Sequence, residues 1–134
     1  MDQMQNLSMS EIQNSLPRLL VGSLKRNLKH ENLEFEPINK NGRASAEVHW
    51  LFKAEEADGS AAAVIRYYAG GDAPPHLHTG FELIYILEGE MQTSTGEVKK
   101  NDLILLKPGS IHKSSSKSGC LALIIWQQPV KMMR

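Results

Sequence analysis

Residues 74–82 read PPHLHTGFE, which sets His76, His78 and Glu82 at offsets of two and four behind a double proline. A helix would bring positions i and i+4 to one face but turn i+2 away, and consecutive prolines favour extended backbone. In an extended segment, residues two apart share a face. The two imidazoles therefore point the same way, and a short bend at Thr79-Gly80 lets the carboxylate rejoin them. Two nitrogens and one oxygen converging in this manner begin a metal ligand set.

Outward from that stretch, β-branched and aromatic runs alternate with turn residues. The runs are EVHWLFK (47–53), AAAVIRYYA (61–69), FELIYILEGEMQTS (81–94), DLILLK (102–107) and CLALIIWQ (120–127). Between them fall Asn41-Gly42, Asp58-Gly59, Gly70-Gly71, Gly89, Thr95-Gly96, Pro108-Gly109 and Ser118-Gly119. Short strands with a turn every ten residues or so predict an all-β sandwich or barrel. The SSSKS segment at 114–118 reads as a polar loop. Residues 1–29 differ in texture: Leu16, Leu19, Leu20, Leu24 and Leu28 come near helical spacing. That spacing predicts a helical arm with its helix over 17–29, Ser15 at its N-cap and Pro17 in its first turn, followed by a β domain over 30–134.

The chain has 134 residues and 41% hydrophobic content, enough for one core without disulfides. Fifteen basic and fifteen acidic residues cancel, and the lysines are scattered, so nucleic acid is not an expected partner. The single cysteine, Cys120, has no internal disulfide partner, and no basic segment precedes a long apolar run at the N-terminus. Both suit the cytoplasm. The longest apolar run, LALIIW at 121–126, is far shorter than the roughly 20 residues of a membrane helix.

A third histidine joins the pair near the prolines. In LKPGSIH (106–112), His112 re-enters extended structure after a Pro-Gly turn. His76, His78, Glu82 and His112 then make three neutral imidazoles and one carboxylate around one divalent ion. This mixed nitrogen and oxygen set suits Fe, Mn, Ni or Zn and leaves one or two positions open in a six-coordinate shell. His30 and His49 read as ordinary surface or core residues.

The spacing Gly70, five residues, His76, one, His78, three, Glu82, six, Gly89 resembles the first motif of the cupin superfamily at every fixed position. Gly109 and His112 resemble the later part of the second motif. Asn101 stands where that motif has glycine, Lys107 where it has its first proline, and Ser116 where it has asparagine. The wording over about 32–128 further resembles the cupin domain of ChrR-type anti-sigma factors and their free-standing relatives. The resemblance implies a small double-stranded β-helix, or jelly-roll barrel, and zinc on His76, His78, Glu82 and His112. Full anti-sigma proteins of that type carry an N-terminal zinc domain with a cysteine pair, whereas residues 1–29 contain neither Cys nor His. Control of a sigma factor is therefore not carried over.

Within such a barrel, an inward Glu82 brings Ile84 and Ile86 to its side as an apolar wall, and sends Leu83, Tyr85 and Leu87 outward. A strand apolar on both faces predicts cover on both, by a homodimer or by the N-terminal helix. Arg66, Tyr68 and Trp126 are candidate partners behind the ligands, and Cys120 reads as a buried inert thiol. Two functions follow. One is a small-molecule metalloenzyme, with dioxygenase-type or related chemistry on a carbonyl compound; no residue outside the ligand set is marked as its acid, base or nucleophile. The other is a non-catalytic zinc-binding sensor, and both stand against a purely structural metal site or an unoccupied barrel.

Overall fold

A computed structural model describes residues 12, 14–16, 34–40 and 43–132 of the chain. Among the described residues ten strands follow one another: β1 (Glu36–Lys40), β2 (Arg43–Phe52), β3 (Ala61–Tyr67), β4 (Asp72–Leu77), β5 (Glu82–Thr93), β6 (Gly96–Lys99), β7 (Leu103–Leu106), β8 (Ile111–Ser115), β9 (Cys120–Trp126) and β10 (Lys131–Met132). All pair antiparallel in the order β1-β2-β3-β9-β5-β8-β4-β10, with β6 and β7 also on β5. This is the curled sheet of a jelly-roll barrel, so the expected all-β fold holds.

β5 spans the molecule. Its first half, Glu82–Gly89, pairs with β7 and β9, while its second half, from Glu90 on, pairs with β6 and β8. Glu82, Ile84 and Ile86 are buried in the interior as their alternation predicts. The register with β9 then slips between Ile86 and Glu88. An extra residue in one strand flips the inside-outside parity, so Met91, an odd position, is the next fully interior residue. Gly89 follows the slip with φ +81°, and a Cβ there would meet the Gly119 carbonyl oxygen at 2.2 Å. Any side chain would push β5 off β9.

The interior cluster gathers Val48, Ile65, Tyr67, Ile84, Ile86 and Ile124. A second cluster lies on the other side of the sheet, where Ile12 and Leu16 pack with Val64, Leu87 and Leu121. Ile12 and Leu16 thus cover part of the outward face of β5. Residues 12, 14 and 15 are helical, which places Ser15 within a turn of helix instead of at an N-cap, and the helix expected over 17–29 lies outside the described residues. Leu103, Leu105 and Ile125 stay exposed on the same outer side, at 64%, 54% and 43%.

Several strands are ones the hydrophobic pattern does not announce. β1, β6 and β10 are short or polar, and β4 contains Pro74-Pro75, which sit where its register with β8 breaks. The SSSKS reading is corrected: Ser114 and Ser115 belong to β8, and Ser114 and Ser116 are buried. A serine whose hydroxyl finds a partner can occupy a strand interior, and composition alone does not show that partner. No helix among the described residues is long and apolar enough to cross a membrane.

Candidate metal centre

β4 and β8 bring two histidines face to face, since His76 pairs directly with His112. Cross-strand neighbours in an antiparallel pair hold their side chains within reach on one face of the sheet. His78 follows one residue after β4 and is tied to the β7–β8 turn, where its N–H donates to the Ser110 carbonyl (2.9 Å) and its carbonyl accepts from Gly109 N–H (2.8 Å). Glu82 opens β5 and is laterally paired with Leu106 and Trp126. The four residues expected as ligands therefore meet, from three strands and one turn. The ring centroids are 5.0 Å apart for His76–His78, 5.4 Å for His76–His112 and 5.5 Å for His78–His112.

One potential ligand atom from each residue lies within 4.8 Å of the others, and all four side chains are buried. His78 Nε2 stands 3.1 Å from Glu82 Oε1. Neither atom has a hydrogen-bond partner, and neither nitrogen of His112 has one. Buried polar atoms are ordinarily satisfied, because each orphan costs about 1–3 kcal/mol. Several orphans aimed at one another, all lone-pair donors and at most one of them charged, fit a divalent cation between them.

The electrostatics of Glu82, His78 and His112 agree. Burial pushes the Glu82 carboxyl up to about 7, against a hydrogen bond from the Trp126 indole that pulls it down. Burial, then the neighbouring His76 and His78, bring His112 down to about 4. Burial and His76 lower His78 as well. Near neutral pH these two imidazoles are thus unprotonated and free to ligate, and Glu82 gives up a proton that a cation would replace.

The supporting contacts are partly those expected. Trp126 does reach Glu82. Arg66 and Tyr68 do not support the cluster: Arg66 pairs with Glu47 at 3.5 Å and lies over the Tyr68 ring, whose hydroxyl donates to Glu47 at 2.9 Å. Alternation along the strand explains this, because Tyr67 takes the inward position between them. The contact missed from sequence is Ser110, whose hydroxyl is 3.0 Å from His78 Nδ1 and 2.6 Å from the Lys107 carbonyl. It lies in the same PGSIH turn as His112, and a hydroxyl two residues from a ligand was the available signal.

The departures from the second motif also find their reasons. Asn101 has φ +75°, a left-handed conformation that glycine adopts freely and asparagine tolerates best among the rest. Ser116 bridges the two motifs: its carbonyl accepts from Gly70 N–H (2.8 Å), its N–H donates to the Gly71 carbonyl (3.0 Å), and its hydroxyl donates to the Glu90 carbonyl. Cys120 is fully buried, and burial with nearby Glu90 pushes its thiol up to about 12, which makes it inert.

A cavity of about 400 Å³ reaches His76, Glu82 and His112, and its other walls include Ile84, Ile124 and Trp126. The outward-opening cluster and apolar wall are the arrangement a small organic ligand needs beside an ion.

The family model described as ChrR Cupin-like domain matches residues 27–130. Among curated proteins no match was found. Solved structures with a similar fold include the polyketide cyclase RemF from Streptomyces resistomycificus, at 22% identity and TM-score 0.63, over 77% of this chain and 81% of that one. An acetylacetone dioxygenase from Acinetobacter johnsonii is similar at 16% identity and TM-score 0.65, over 75% and 72%. The anti-sigma ChrR of Rhodobacter sphaeroides, in complex with SigE, is similar at 18% identity and TM-score 0.61; the match covers 73% of this chain and 51% of that one. At such identities the likeness carries the fold alone.

Proposed function

Because the chain belongs to the ChrR cupin-like domain family, we propose that it is a small-molecule metalloenzyme in which His76, His78, Glu82 and His112 hold one divalent ion against a carbonyl compound. The observation that carries this reading is the cavity of about 400 Å³ opening onto three of the four residues. A purely structural ion would be sealed by protein on all sides. Bound there, a divalent ion supplies Lewis-acid polarisation of a carbonyl and, as iron, redox chemistry with dioxygen. The chain supplies the rest. Ile84, Ile124 and Trp126 exclude water, Ser110 orients the His78 ring, and the Trp126 indole steadies Glu82. β-Dicarbonyl and hydroxyketone compounds fit, because they present two oxygens to one ion and an apolar remainder to the wall.

The test is elemental analysis of the purified protein, followed by oxygen uptake on Fe(II)-loaded protein with diketone and hydroxyketone substrates. Uptake is expected, and uptake that persists in His76→Ala would sink the reading. Family membership favours a second reading, a non-catalytic zinc module that reports oxidants to a partner. In that case peroxide releases zinc before other damage, and no carbonyl compound is turned over. Exposed Leu103, Leu105 and Ile125 support a second copy of this chain as a partner, to be read by sedimentation.

A further inference from the structure

Tyr67 ends β3, paired with Ala46 on one side and Cys120 on the other. It is 9% exposed and lines the cavity that holds His76, Glu82 and His112. Its neighbours in sequence face the other way, into the Glu47 cluster. The walls around it are mostly apolar, among them Ala46, Ala73, Ile84 and Ile124. Ser45 and Asp72 also line the cavity, but the Ser45 hydroxyl is committed to the Asp72 carbonyl and Asp72 is exposed. Apart from the cluster itself, the buried hydroxyls of this cavity are therefore those of Tyr67 and Ser114, and Ser114 is 6% exposed.

A phenol turned into an apolar cavity needs a reason, since a buried hydroxyl ordinarily finds a partner. Burial raises the Tyr67 pKa, as do Cys120 and Glu82, while a hydrogen bond from Ser114 opposes them. The group is thus a neutral phenol throughout the physiological range. A phenol has one O–H to give and lone pairs to receive. Tyr67 and Ser114 line the cavity together, and the Tyr67 hydroxyl, as a neutral phenol, has a proton it can donate to an oxygen placed there.

We propose that Tyr67 is a ligand-binding residue, donating a hydrogen bond to an oxygen of the small molecule in the cavity and so selecting enolisable 1,3-dicarbonyl compounds over apolar molecules of equal size. The donor strengthens as negative charge gathers on that oxygen, so the enolate is the form it holds best. This inference rests on the metalloenzyme reading above and adds to it the residue that would set specificity.

The test uses Co(II)-loaded full-length protein and pentane-2,4-dione as the probe, read by calorimetry and by the ultraviolet band of the bound enolate. Tyr67→Phe removes one oxygen and keeps the ring. It should weaken probe binding at least about tenfold and shrink the enolate band, with cobalt content and Tm unchanged. Probe binding as tight as in the wild type overturns the inference and leaves the metalloenzyme reading standing. Loss of cobalt in parallel with the probe also overturns it, because Tyr67 would then be scaffold. If the loaded wild type does not bind the probe, both ideas fall. The unsubstituted protein offers a reading that does not depend on the variant folding: adding the probe should produce a tyrosine difference band in the near ultraviolet, and a flat difference spectrum counts against the contact.

Discussion

Glu82 and Glu90 are two carboxylates on one strand, eight positions apart, and the fold treats them in opposite ways. Glu90 is partly exposed, and its carboxylate accepts hydrogen bonds from the N–H groups of Lys117 and Ser118 (2.9 Å each), from the Ser116 and Ser118 hydroxyls (3.1 and 3.0 Å) and from the Gln92 amide (3.3 Å). Partial burial raises its pKa, but the bonds from Ser118, Gln92 and Ser116 outweigh that and the net direction is down. Glu82 is buried with Oε1 unpartnered, and its pKa moves up to about 7. A saturated carboxylate fastens a loop, whereas an unsaturated one, set among other unsaturated lone pairs, is held ready for a cation. Hydrogen-bond satisfaction separates the two roles where residue type cannot.

The largest expected effect tests the unsaturated end. His112→Ala should weaken metal binding by well over 100-fold in competition with a chromophoric chelator, since losing an outer contact alone costs about 10- to 100-fold. Binding within tenfold of wild type would remove His112 from the centre. Next comes the direct contrast, in metal-free protein at about pH 8. Glu82 has a folded pKa above its unfolded value, so its contribution is present below about pH 4.5 and is lost as pH climbs through about 7. Glu90 has the reverse sign: its contribution is present above the unfolded value and is lost as pH falls through the lower folded one. Glu82→Gln should therefore raise Tm by a few degrees, and Glu90→Gln should lower it by roughly 3–6 °C through weakened loop bonds. Shifts of the same sign would break the comparison. In proton terms, metal binding at about pH 6 should release a proton that calorimetry in two buffers detects, fading by about pH 8 as Glu82 ionises beforehand. The smallest effect is that of Ser110→Ala, about tenfold in metal affinity with Tm held, because it leaves the His78 ring without its orienting hydroxyl.

Much of the site was legible because its signal is local. HLHTGFE and PGSIH each place their histidines on a turn-flanked extended segment, and the period-two rule turned Glu82, Ile84 and Ile86 inward together. What stayed hidden depends on partners distant in sequence. Tyr67 lies in AAAVIRY, buried on both faces over its first five residues, so alternation cannot say which face meets the cavity. For the same reason alternation does not separate Arg66 and Tyr68, which face the Glu47 cluster, from residues behind the ligands. Strands β1, β6, β8 and β10 are polar or brief, and their pairing comes from neighbours already in place. Ser114 and Ser116 illustrate this, since their strand and bridge roles need β4, β5 and Gly70-Gly71 to exist first.

The slip at Leu87 leaves β5 with two reading frames, even-numbered before it and odd-numbered after it. A sequence change in one half is thereby insulated from the other. The cavity-facing positions can diversify toward a new small molecule while the Glu90 clasp keeps its frame, and deleting Leu87, the extra residue, would merge the two frames into one unbroken alternation with Ile84, Ile86 and Met91 still inward, losing only the place of Leu87 in the outer cluster.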